Sequence, residues 1–227
     1  MQLTPYHFLP FPPLVYLAFI ALFILVIALI EIGIVHYAAE QLGVERRRLF
    51  LLLLLCLLGS YVNIPVARLP PEKVESGQIV TIFGMPYVIP LVREWPGTVV
   101  AVNIGGAVVP VGLACYLIVK NRLYYQSICA TVGVSLIAYA FSRPVHGLGI
   151  SIPILIPPMA AVLAGTLFSP NRPAPLAFIS GTLGTLIGAD LLNLGVLPGL
   201  GAPVASIGGA GTFDGIFLTG ILAVVLA

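Results

Sequence analysis

The chain has 227 residues, of which 59% are hydrophobic and only 8% charged, with a mean hydropathy of +1.12. Soluble domains carry about a quarter charged residues, so this composition excludes an ordinary water-soluble globule and marks an integral membrane protein. The net charge of +2 comes without a basic patch interleaved with aromatics, which argues against nucleic acid as a partner. Cys56, Cys115 and Cys129 sit in apolar runs without metal-ligand spacing, so no disulfide framework, metal site or cofactor is expected.

A helix crosses roughly 30 Å of hydrocarbon with about 20 apolar residues. On that measure the chain reads as all-α, a polytopic transmembrane helix bundle of about seven spans. These are Leu14–Tyr37, Leu49–Val66, Gly97–Val119, Leu123–Ser142, Ile150–Phe168, Ala174–Val196 and Val204–Ala227. No Lys or Arg precedes the first run, which argues against a cleaved signal peptide. The runs are continuous and not alternating, which excludes barrel strands. Residues 1–227 are expected to form a single membrane domain, with 68–96 as an extracytoplasmic or interfacial loop and Trp95 as an interfacial anchor. Glu31 and His36 lie near the end of the first span, where snorkelling to the interface accounts for them. "SIPILIPPMAA" (Ser151–Ala161) is expected to bend its span.

The basic residues predict orientation. Arg46, Arg47, Arg48, Lys120, Arg122 and Arg172 all fall on the cytoplasmic side if the N-terminus lies outside. Arg143 departs from that pattern. The C-terminus is then cytoplasmic and the protein a multi-pass component of the cell's inner membrane.

The sequence also echoes itself. "VNIGGAVVPVG" from Val102 and "ASIGGAGTFDG" from Ala205 both place IGGA just inside the outer end of an expected helix. Paired glycine-interrupted segments point to a repeat around a central site, although a chain with 24 glycines also produces such pairs by chance. The stretch Gly195–Gly211 holds too many Gly and Pro residues to form one continuous helix, so broken helices are expected near the outer side.

The chain's only aspartates, Asp190 and Asp214, occupy these apolar segments. From Ala174, Asp190 lies roughly 24 Å up its helix, in the outer third of the hydrocarbon. If the last helix starts near Thr212, Asp214 shares that level. Gly184 and Gly188 permit close helix approach, as do Gly208, Gly209, Gly211 and Gly215 around Asp214. Carboxylates in a membrane are expensive and usually mark function. Two close together cannot both ionise, which leaves an acid beside a base. Asp190 and Asp214 are therefore the candidate catalytic pair, with Asn103, Asn193, Thr212, Arg143 and His146 as polar neighbours. Structural roles compete: Asp214 as a helix cap, and Asp190 bonded to Asn193 or paired with Arg143 or His146. No HExxH, GxGxxG, Walker or Ser-His-Asp pattern occurs.

"VNIGGAVVP", "GADLLNL" and "GGAGTFDGIFLTGILAV" resemble the bacterial and archaeal membrane proteins grouped as domain of unknown function 1614, over nearly the whole chain. That resemblance implies no activity. A second resemblance is to the GxGD intramembrane aspartyl proteases, the presenilin and signal-peptide-peptidase group, which carry one catalytic aspartate on each of two consecutive helices. It places Asp190 as the first and Asp214 as the second. Three departures stand against it: no tyrosine precedes Asp190, Phe213 replaces the glycine before Asp214, and no Pro-Ala-Leu motif follows. The leading expectation is a hydrolase of a membrane-embedded peptide, one carboxylate acting as general base on water. The alternative is a small proton- or cation-coupled transporter or channel, and the third reading is a non-catalytic structural membrane protein. Partners in every case are the lipid bilayer and a membrane peptide, ion or small solute.

Overall fold

A computed structural model describes residues 18–25, 33–70, 79–82, 85–88, 97–145, 149–198, 204–209 and 215–227. These residues are mostly helical, and three helices are long and apolar enough to cross a membrane: Ile104–Asn121, Tyr124–Phe141 and Pro173–Val196. Shorter elements surround them.

Helix α1 covers residues 18–25, α2 is Ile34–Leu42 and α3 is Arg46–Gly59. Gly33 (φ 90°) caps α2 in a left-handed conformation, so helix does not run unbroken through the expected span Leu14–Tyr37. Helix α4 (Val109–Asn121) is preceded by a π-turn, Ile104–Val108. Helix α5 is Tyr124–Phe141, α6 Ile156–Phe168, α7 Pro173–Thr185 and α8 Gly215–Leu226. Pro157 and Pro158 open α6 instead of bending it, because the first turn has no N–H partner to lose.

Strands occupy several places where continuous helix was expected. β1 (Asn63–Arg68) follows α3, β4 (Val99–Asn103) leads into the π-turn, and β7 (Val204–Ile207) precedes α8. They form one sheet ordered β1-β4-β7, antiparallel between β1 and β4 and parallel between β4 and β7. Two hairpins complete the strands: β2 (Ile79–Ile82) with β3 (Met85–Val88), and β5 (Arg143–Val145) with β6 (Gly149–Ser151). The expected outer loop thus contains the β2–β3 hairpin, while Trp95 lies outside the described residues, as does Glu31.

Helix α7 is the centre of the packing. It lies against α4, α5, α6 and α8, and Leu176, Ala177, Phe178 and Ile179 are completely buried. Small residues make this fit. A Cβ added at Gly184 would lie 2.6 Å from the Val134 side chain, and one at Gly188 2.2 Å from the Ser135 carbonyl oxygen. The two glycines therefore seat α7 against α5 backbone to backbone.

The elements sort into two ends. At one, the Lys120 ammonium donates to the Gly43 carbonyl, and Arg172 Nη1 donates to Asn121 Oδ1 at 3.2 Å. A cleft of about 190 Å³ opens there between Glu40, Asn121 and Arg172. Charges at this basic end are solvated, as in the exposed Arg48–Glu45 pair at 3.2 Å and the His36–Glu40 pair at 3.0 Å. Strands β1, β4 and β7 and the β5–β6 hairpin lie at the opposite end.

Candidate functional site

The site begins where α7 loses its α geometry. After Thr185 the chain continues as a π-turn, Leu186–Asp190, and then as a 3-10 helix, Leu191–Val196. Such mid-helix changes of pitch often mark functional positions. Asp190 is the last residue of the π-turn, and its Oδ2 accepts the Gly208 N–H at 2.6 Å. The other carboxylate oxygen accepts no hydrogen bond among the described residues.

Gly208 is fitted to this contact. Its φ of +82° is left-handed, and an added Cβ would lie 2.7 Å from the Ala107 backbone nitrogen and from the Gly106 carbonyl carbon. β7 thus turns sharply against the first turn after β4 while its N–H points at Asp190. Gly209 is equally crowded, 2.2 Å from Ser206 Oγ by the same measure.

A second polar cluster lies beside it. Buried Asn103 accepts the Gly106 N–H at 2.8 Å on Oδ1 and donates to the Ser60 carbonyl at 2.7 Å and to Asn63 Oδ1 at 3.1 Å. Ser206 Oγ donates to the same Asn63 oxygen at 2.6 Å. The Asn63 oxygen therefore links all three strands of the sheet. Ser60, Asn63 and Ser206 were not among the sequence candidates; the signal present was a lone Asn63 in an otherwise apolar run.

Asn193 is buried, and its amide donates to Ser142 Oγ at 2.8 Å, Gly188 O at 3.1 Å and Ala189 O at 2.9 Å. It thus ties α7 to the end of α5 and does not bond Asp190. Arg143 is exposed on β5, and among the described residues it makes no ion pair with Asp190. The structure brings Asp190 and Gly208 together, sets Asn103 in the adjoining sheet and leaves Arg143 apart. Asp214, Thr212, Gly211 and His146 lie outside the described residues, and Gly215 is the first residue of α8. The expected break over Gly195–Gly211 is present in its described parts, as the 3-10 turn, strand β7 and the left-handed Gly208.

The IGGA echo takes two conformations. Ile104–Ala107 forms the π-turn, whereas Ile207 ends a strand and Gly208 turns left-handed.

Five further polar groups are unusual. The hydroxyls of Ser127, Thr131 and Ser135 on α5, and of Thr182 and Thr185 on α7, are buried without a hydrogen-bond partner among the described residues. Elsewhere in the helices hydroxyls bond back to the preceding turn, as Thr166 does to Val162 O and Leu163 O, both at 3.0 Å. An unsatisfied buried hydroxyl costs about 1–3 kcal/mol, so five dry ones would rival the whole stability of a domain. Water between the helices is the ordinary way to satisfy them. No group of three or more His, Cys, Asp or Glu side chains that could hold a metal occurs among the described residues.

This geometry defines a helical protein with three helices long and apolar enough to span a membrane, strands at one end and the Asp190 carboxylate at the junction. Residues 57–226 match a family described as "Protein of unknown function (DUF1614)", and the chain belongs to that family. No curated protein and no solved structure shows significant similarity to it.

Proposed function

We propose that the protein is a multi-pass inner-membrane protein of about seven crossings in which Asp190 is the proton-binding group of a small proton- or cation-coupled transporter or channel. Its N-terminus lies outside and its C-terminus in the cytoplasm, so the basic end faces inward, as the excess of Lys and Arg in cytoplasmic loops favours. The strand layer then sits at the outer interface, because open sheet edges are not tolerated in hydrocarbon.

The observation that carries this reading is the carboxylate of Asp190. It ends the π-turn of an apolar span and takes one described hydrogen bond, from Gly208 N–H, leaving an oxygen able to bind a proton or cation. Interrupted helices around a coupling carboxylate are a recurrent design of small transporters.

The test uses protein in sealed vesicles enclosing a pH-sensitive dye, with a potassium diffusion potential to drive protons inward. Wild-type protein should acidify the lumen, and Asp190→Asn should fall to the rate of protein-free vesicles. Unchanged flux in that variant would sink the reading. The rival hydrolase requires Asp214 to act with Asp190; cleavage of a membrane-embedded peptide in detergent, lost in Asp214→Asn, would replace transport with catalysis.

A further inference from the structure

Ser127, Thr131 and Ser135 are spaced four residues apart and recur on one face of α5. Each is at least nine-tenths buried and each hydroxyl lacks a partner among the described residues. Near Val134 and Ser135 the helix meets α7, where Gly184 and Gly188 lie and where Thr185 adds another orphan hydroxyl. Thr182 points instead at α8, since a Cβ on Gly220 would lie 2.7 Å from its Oγ1.

We propose that this seam is a proton path, a single file of hydroxyls and waters that runs along α5 and delivers protons to Asp190. The proposal rests on the reading of Asp190 as a proton-binding group and names the route that supplies it. Spacing supports it first. Successive hydroxyls are about 6 Å apart along the helix axis. One water bonded to both at about 2.8 Å each spans at most about 5.6 Å, so each step takes a pair of waters.

Chemistry supports it second. A hydroxyl both donates and accepts, so it can take a proton on its oxygen while releasing its own to the next water. Each oxygen ends with the proton count it started with, and the net event is one proton moved to the carboxylate. A hydrophobic seam cannot do this, and a seam of charged groups would be far costlier in a membrane.

Direction supports it third. α5 starts at the basic end, and Ser127 lies in its first turn. The Ser135 carbonyl lies against Gly188, two residues before Asp190, so the file runs from the basic end towards the strand end. Asn193 then fixes the exit by tying Ser142, Gly188 and Ala189 around the π-turn.

The experiment is the same vesicle assay on the full chain, with melting temperatures measured in detergent. Thr131→Val removes the hydroxyl and keeps the shape. It should reduce flux to the protein-free rate, while Thr131→Ser should restore it. Ser135→Ala, should Thr131→Val not fold, should show the same loss. A dry, orphaned hydroxyl predicts the opposite signature: Thr131→Val raises the melting temperature by about 2–4 °C and leaves flux unchanged. That result overturns the path. If Asp190→Asn abolishes flux while Thr131→Val and Ser135→Ala do not, the carboxylate reading stands and the path falls. Wild-type flux no greater than that of empty vesicles overturns both.

Discussion

The two strand-to-helix junctions carry the same four residues, IGGA, and solve the same problem differently. At the first, β4 hands over to the π-turn, and the cap comes from the strand itself: Asn103 accepts the N–H of Gly106, three residues on. At the second, β7 ends at Ile207, and the N–H of the next residue, Gly208, is held by another element, the Asp190 carboxylate. Asn103 caps its own helix and also ties it back to Ser60 and Asn63. The Asp190 bond makes the end of α7 and the end of β7 one unit, so whatever moves the carboxylate moves that strand end.

The largest effects at the two junctions are steric. Gly105→Ala would put a Cβ 2.0 Å from the Cys56 carbonyl oxygen and 2.4 Å from the Ser60 nitrogen, both backbone atoms that cannot swing aside. It should cost about 4 kcal/mol or more and leave little folded protein by size-exclusion chromatography. Gly208→Ala combines a left-handed φ of +82° with contacts at 2.7 Å to Ala107 and Gly106, and should cost about 3 kcal/mol in detergent melts.

Removing the caps comes next. Asn103→Ala breaks three described hydrogen bonds and should cost about 2–3 kcal/mol, whereas Asp190→Ala strands one Gly208 N–H and should cost about 1–2 kcal/mol. Equal losses in unfolding free energy would mean that the two junctions are capped equivalently, against this comparison. The smallest effect serves as the control. Gly112 on α4 is exposed and has nothing within 4 Å of an added Cβ, so Gly112→Ala should stabilise by about 0.5–1 kcal/mol.

These pairs also show how far the sequence could be read. The apolar stretches Tyr124–Phe141 and Pro173–Val196 are legible because length and composition alone make them long helices. "NIPVAR", "VVAVN" and "VASI" were absorbed into expected spans because a short run of Val, Ile and Ala is equally apolar as strand or helix. Their bounding Pro and Gly residues were the available signal. Asn103 was legible as a polar residue, but its partners Ser60 and Asn63 depend on a sheet the hydropathy pattern does not encode. The contact of Asp190 with Gly208 depends on chain reversal through residues 191–207, which no local pattern specifies. The spacing of Ser127, Thr131 and Ser135 was open to inspection throughout, yet serine and threonine in helices are so commonly satisfied by the preceding turn that only their burial without partners makes them stand out.

The Asn63 side chain sets a timetable for synthesis. Its oxygen accepts from Ser206, 143 residues later in the chain. At ordinary translation speeds of about 5–20 residues per second, the ribosome needs roughly 7–30 s to make that partner. Meanwhile the free edge of β4 awaits its parallel neighbour β7 while four intervening helices, α4 to α7, are made. Unpaired strand amides are not tolerated in hydrocarbon, so this edge stays in water until β7 arrives. The sheet is therefore a late-closing latch on assembly, fastened only after the helices between its strands are in place.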